Sequence, residues 1–101
     1  MKYSVIYFIG DELKKYETVS TFDSIESAYN GAINEIERTK KSKDVIEDDI
    51  RSFEEVSEEV LNYKRPYMSD SDIGICVGYV TVLDDHHEEI DVYFEILVTE
   101  C

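Results

Sequence analysis

His86 and His87 stand side by side, bracketed by Asp84, Asp85, Glu88 and Glu89. Imidazole and carboxylate together are ligand types for a divalent transition metal. Structural zinc needs four convergent ligands, and adjacent histidines at a hairpin tip point apart, so the segment reads as an exposed polar turn. Ser69-Asp70-Ser71-Asp72 lacks the length and glycine of a calcium loop and reads as a linker. Cys76 would need a histidine beside it to act as a nucleophile. In the hairpin register expected below it pairs with Leu97, far along the strands from His86. Neither CxxC spacing nor a Gly-rich loop opening a helix is present, so a cysteine zinc clasp and a phosphate cradle are both excluded. No metal, cofactor or catalytic group is expected, and an enzyme is disfavoured.

Carboxylates are the abundant functional group. The chain of 101 residues has 24 Asp and Glu against 10 Lys and Arg, a formal net charge of −14. Residues 1–43 balance, while Asp44, Glu47, Asp48, Asp49, Glu54, Glu55, Glu58 and Glu59 face Arg51 alone within 44–59. Residues 66–101 hold acids and no base. On an exposed face nothing raises one carboxyl above its neighbour by burial, which acid–base catalysis requires. A row of carboxylates has a different use. At i, i+4 on a helix their Cβ atoms lie about 5–6 Å apart, comparable to the charge repeat of a nucleic-acid strand. Such a row fits a cationic groove and is steered to it over long range. The same charge disfavours direct nucleic-acid binding, since the one basic cluster, Arg38 to Lys43, is short. A solvated acidic surface that serves solubility is the competing reading.

The elements that must position these groups follow from periodicity. Lys2 to Ile9 is β-branched and aromatic, apolar on both faces after Ser4, as in a covered central strand. Gly10-Asp11-Glu12 punctuates it, and Tyr16 to Phe22 reads as a weaker second strand. Asp23 and Glu26 have capping-box spacing, followed by an apolar stripe of Ile25, Ala28, Tyr29, Ala32, Ile33 and Ile36. Asp44 and Glu47 repeat the spacing and predict a second helix with Ile46, Ile50, Phe53, Val56, Val60 and Tyr63 inward, stopped by Pro66. One bent helix over 24–64 is the alternative, but the second cap and the polar Lys40–Lys43 stretch favour two. On the second helix Glu47, Arg51, Glu54, Glu55 and Glu58 would share one side. Tyr63, Tyr67 and Met68 read equally as interface anchors or as edges of the core.

A long hairpin follows. With a turn at Asp85–Glu88, Ile75, Val77, Tyr79, Thr81 and Leu83 share an apolar face with Ile90, Val92, Phe94, Ile96 and Val98. The other face mixes Cys76, Val80, Val82 and Leu97 with Asp91, Tyr93, Glu95 and Thr99. The expected fold is one α+β domain over 1–101, with a four-stranded antiparallel sheet in β-β-α-α-β-β order and two helices packed on one face. No apolar run approaches the roughly 20 residues that span a bilayer. The N-terminus lacks a small-residue cleavage site, so a cytoplasmic location is expected.

This profile, a short acidic domain without catalytic machinery, resembles small phage or mobile-element proteins that block host nucleic-acid enzymes. The likeness rests on composition. It implies a non-enzymatic DNA mimic acting as an anti-CRISPR or anti-restriction inhibitor, seated in the basic groove of a nuclease. The partner would be a basic nucleic-acid-binding protein, met by Glu47, Asp48, Glu54, Glu55, Glu58, Asp84, Asp85, Glu88, Glu89 and Asp91. The alternative is a protein-interaction module or oligomer subunit using Val80, Val82, Tyr93 and Leu97.

Overall fold

The computed structural model describes residues 2–10, 16–61 and 74–99. The readings placed on Asp11, Glu12, Tyr63, Pro66, Tyr67, Met68, Ser69–Asp72 and Cys101 lie outside these residues. In chain order the elements are β1 (Lys2–Ile9), β2 (Glu17–Phe22), α1 (Ile25–Ser42), β3 (Val45–Ile50), α2 (Phe53–Leu61), β4 (Ile75–Leu83) and β5 (Glu89–Thr99). The strands form one antiparallel sheet in the order β2-β1-β5-β4-β3.

The expected four-stranded β-β-α-α-β-β arrangement is therefore wrong at one segment. Residues 45–50 are a fifth strand, not the first turns of a helix. Their apolar spacing fits either element, because Val45 and Ile50 can meet the core from a strand as well. The deciding factor is the outer edge of β4, whose backbone groups need partners once its side chains are buried. A ladder along β3 supplies them, including Arg51 N to Val77 O at 2.8 Å and Leu83 N to Asp44 O at 3.0 Å. The Asp44/Glu47 cap contributes only about 1 kcal/mol and loses to that ladder. Ile46, expected in the core, is 48% exposed.

Both helices begin at serines. Ser24 Oγ accepts from Ser27 N at 3.1 Å, so it caps α1 in place of Asp23, which pairs with Lys2. Ser52 Oγ accepts from Glu55 N at 3.3 Å at the start of α2. The α1 stripe buries Ala28, Ala32 and Ile36, and α2 adds Val56 and Val60. These meet Val5, Val80, Val82, Val92, Phe94, Ile96 and Val98 in one core between the helices and one face of the sheet.

The hairpin register differs from the expected one by a residue, with Val80 opposite Val92 and Val82 opposite Ile90. The connection is 84–88, one residue longer than the expected turn, and a bulge lies between Cys76 and Gly78. A one-residue slip in a strand exchanges its faces. Val80 and Val82 thus turn to the helices and are fully buried. Tyr79, Thr81 and Leu83 join the opposite face, and Cys76 pairs with Glu95 instead of Leu97. The half-apolar patch expected from Val80, Val82, Tyr93 and Leu97 is dissolved by this shift. Both outer strands carry a register shift in their own pairing, β2 opposite Val5/Ile6 and β3 between Val45 and Glu47. Bulges and charge on edge strands oppose edge-to-edge pairing with other chains.

A candidate acidic interaction surface

As the outermost strand, β3 presents Glu47, Asp48 and Asp49 at the sheet margin, all exposed. Strand alternation sends them to two sides. Asp48, opposite Val80, turns to the helix side, where Lys40 Nζ lies 2.8 Å from its Oδ2. Glu47 and Asp49 stand opposite Thr81 and Tyr79 on the other side, and Tyr79 donates its hydroxyl to Glu47 Oε1 at 3.2 Å. That hydrogen bond, with the Glu47 charge, raises the Tyr79 phenol above its ordinary value. Tyr79 in turn meets Tyr93, and Tyr93 stacks on Phe8, giving ring centroids 5.9 and 5.4 Å apart across three strands.

From β3 the acids pass directly into α2. Arg51 joins the two elements and is held by five partners. Its backbone N donates to Val77 O, and its backbone O accepts from the Tyr29 hydroxyl at 2.6 Å. Its guanidinium donates to Cys76 O at 3.1 Å and pairs with Glu59 at 2.5 Å and Glu55 at 3.5 Å. The hydrogen bond it donates to Glu59 leads the causes that raise the Arg51 pKa further. Glu47 and Arg51 do not share one side of a helix as expected, because Glu47 lies in β3 and Arg51 between β3 and α2. Glu54, Glu55 and Glu58 are exposed on α2, as expected of them.

The hairpin tip is organised by Asp84. Its Oδ1 accepts from His86 N at 2.8 Å and Glu88 N at 2.9 Å, and its backbone N donates to Glu88 O at 2.9 Å. His87 takes a φ of 60° there, a left-handed conformation that this hydrogen-bonded turn imposes. Asp84 is thus committed to the turn, while Asp85, Glu88 and Glu89 are exposed. Asp91 accepts from Thr81 Oγ1 at 2.6 Å within the sheet. Asp84 and Asp85 share an open cleft with Lys41, Lys43, Asp44 and His87, so their charge is partly offset by the end of α1. Among the described residues no three His, Cys, Asp or Glu side chains converge on a metal position.

The tip and β3 therefore follow one another along one margin of the sheet, and α2 comes next in the chain, packed against α1 and β4. The tip is tied to the start of β3 through Leu83 and Asp44. β3 extends about 20 Å at the usual strand rise. Asp91 lies on the sheet face inside this margin. Reading residues 44–50 as a helix hid the part of Asp49, whose alternation with Glu47 over a β-branched segment was the available signal.

Comparison of the chain with protein-family models, curated proteins and solved structures returned no match. No helix among the described residues is long and apolar enough to cross a membrane.

Proposed function

We propose that this chain is an acidic, non-enzymatic binding protein that occupies the cationic groove of a DNA- or RNA-acting protein, such as a restriction or CRISPR nuclease. The observation that carries this reading is the edge position of β3, with exposed Glu47, Asp48 and Asp49 running into the exposed Glu54, Glu55 and Glu58 of α2. A strand spaces side chains on one side by about 6.6 Å, and a helix spaces i, i+4 pairs by about 5–6 Å. Both spacings lie in the range by which basic side chains track successive phosphates. The like-charge pair Glu54–Glu58 opposes helix formation by about 0.2–0.5 kcal/mol, a cost expected of a surface selected for its charge, while Arg51 relieves the Glu55–Glu59 pair.

The test is recovery of a partner from a host lysate on the tagged chain, eluted with a salt gradient. The expected result is one nucleic-acid-binding protein released at moderate salt and displaced by its own DNA or RNA. The triple variant Glu54→Lys, Glu55→Lys, Glu58→Lys should lose it. A partner that survives both added salt and the triple reversal would remove the acidic margin from the interface.

A further inference from the structure

A second feature, separate from the acidic margin, lies between α1 and the β1/β5 end of the sheet. There a cavity of about 300 Å³ opens beside the last turns of α1. Val92 and Phe94 form its floor, and Tyr7, Ile9 and Ile90 complete the apolar walls. Ile9 faces the helix side of the sheet yet is 43% exposed, because α1 does not reach over it. The Tyr7 and Phe94 rings approach to 6.2 Å between centroids. The volume sits at the small end of the range for small-molecule sites, and a mostly apolar lining with a few placed polar groups is their usual make-up.

The polar groups in this lining are Glu35, Thr39, Lys43 and Tyr7, and Glu35 is the one carboxylate among them. Glu35 projects from α1 into the lining with its side chain only 19% exposed, paired at 3.0 Å with Arg38, whose own side chain is 75% exposed. An ion pair with so exposed a partner is weak, and another cation can exchange for it. Glu17, outside the lining, accepts from the Tyr7 hydroxyl at 2.5 Å. Both carboxylates are close enough to that hydroxyl to hold its proton more firmly, with the Glu17 hydrogen bond the larger cause. Aromatic faces beside carboxylates attract an organic cation. Lys43 is the one basic residue in the lining and is exposed. A carboxylate ligand drawn to it would face Glu35 and a chain of net charge −14.

We infer that this cavity binds a small arylalkyl ammonium ion, its ring on Phe94, Val92 and Ile9 and its ammonium on Glu35 beside the Tyr7 ring. The site is independent of the proposed groove binding and shares no residue with the acidic margin.

The test is amide NMR of the intact chain titrated with 2-phenylethylamine, with phenylacetate and 2-phenylethanol as charge-reversed and neutral counterparts. N-acetyl-lysine methylamide serves as a mimic of a protein side chain. The amine should give saturable shifts at Tyr7, Ile9, Thr39, Val92 and Phe94, with a Kd on the order of 0.1–1 mM for a ligand of this size. Glu35→Gln should weaken it about tenfold. Ile9→Ser, at a partly exposed position outside the core, should weaken it while leaving the spectrum of the folded chain intact. Equal or tighter binding of phenylacetate would overturn the inference in favour of Lys43. Equal binding of the lysine mimic would assign the pocket to a partner's side chain and overturn it too. Non-saturating shifts along 47–59, or none at all, would do the same.

Discussion

The guanidinium of Arg51 lies 2.5 Å from the Glu59 carboxylate and also reaches Glu55, so one cation bridges successive turns on the same side of α2. Glu55 and Glu59 are a repelling i, i+4 pair, and Arg51 relieves that repulsion from outside the helix. It does so because its backbone is fixed between Val77 O and the Tyr29 hydroxyl. The only base within residues 44–59 is thus also the joint between the acidic strand and the acidic helix.

Replacing Arg51 with Met keeps the volume and removes the charge. The Cys76 carbonyl then loses a donor, and Glu55 and Glu59 repel without relief. The expected loss is about 1–2 kcal/mol, since hydrogen bonds involving charged groups contribute in that range. A thermal melt should shift down by about 4–8 °C per kcal/mol for a domain of this size. Added salt should narrow the difference from the parent by screening the glutamates. An unchanged melting temperature would mean that α2 is held by Val56 and Val60 alone.

Gly78 governs how closely β3 approaches β4. A Cβ there would lie 2.5 Å from Asp49 O and 3.1 Å from Ile50 Cα, both backbone atoms that cannot swing aside. Gly78→Ala should therefore cost about 1–3 kcal/mol, the range for overpacking. Its signature should be local, with faster hydrogen exchange along β3 than along β1. A urea midpoint equal to the parent's would refute the close contact.

Tyr7, Tyr29 and Tyr79 all have phenols raised above the ordinary value of 10.0. Hydrogen bonds to Glu17 and Glu47 lead the causes for Tyr7 and Tyr79, and burial leads for Tyr29. A raised folded pKa means that the folded state holds protons which the unfolded state releases. Stability from these groups is present below about pH 10 and is lost as pH climbs from there toward the folded values. Spectrophotometric titration should show a late group of tyrosines, and Glu17→Gln should move one of them earlier. A single step at the ordinary value for all eight tyrosines would contradict this.

Burial, with the Glu95 charge next, pushes the Cys76 thiol above its usual value, against a smaller opposing effect of Arg51. The thiolate is the reactive form. In a Cys101→Ser background, alkylation near pH 8 should run about tenfold or more slower in the folded chain than in urea. Equal rates would show Cys76 to be open to solvent and unperturbed.

Much of the architecture could be read from side-chain periodicity. The β1 run, the α1 stripe at Ala28, Ala32 and Ile36, and the inward face of β5 at Val92, Phe94, Ile96 and Val98 each bury residues whose spacing announced them. The segment from Asp44 to Ile50 could not be read this way. Its apolar residues suit a strand and a helix equally, and its acids mimic a helix cap. The same holds for the hairpin faces, where alternation defines two sets of residues but a bulge at Val77 decides which set meets the helices.

How much negative charge this protein carries, and which segments carry it, are set by residue identity alone. Tertiary structure alone decided that the charge lies along an edge strand leading into α2, that Arg51 joins the two, and that Glu35 closes an apolar cavity. Those outcomes depend on the unpaired outer edge of β4 and on a one-residue register in the sheet. Both are long-range hydrogen-bonding choices that no local pattern encodes.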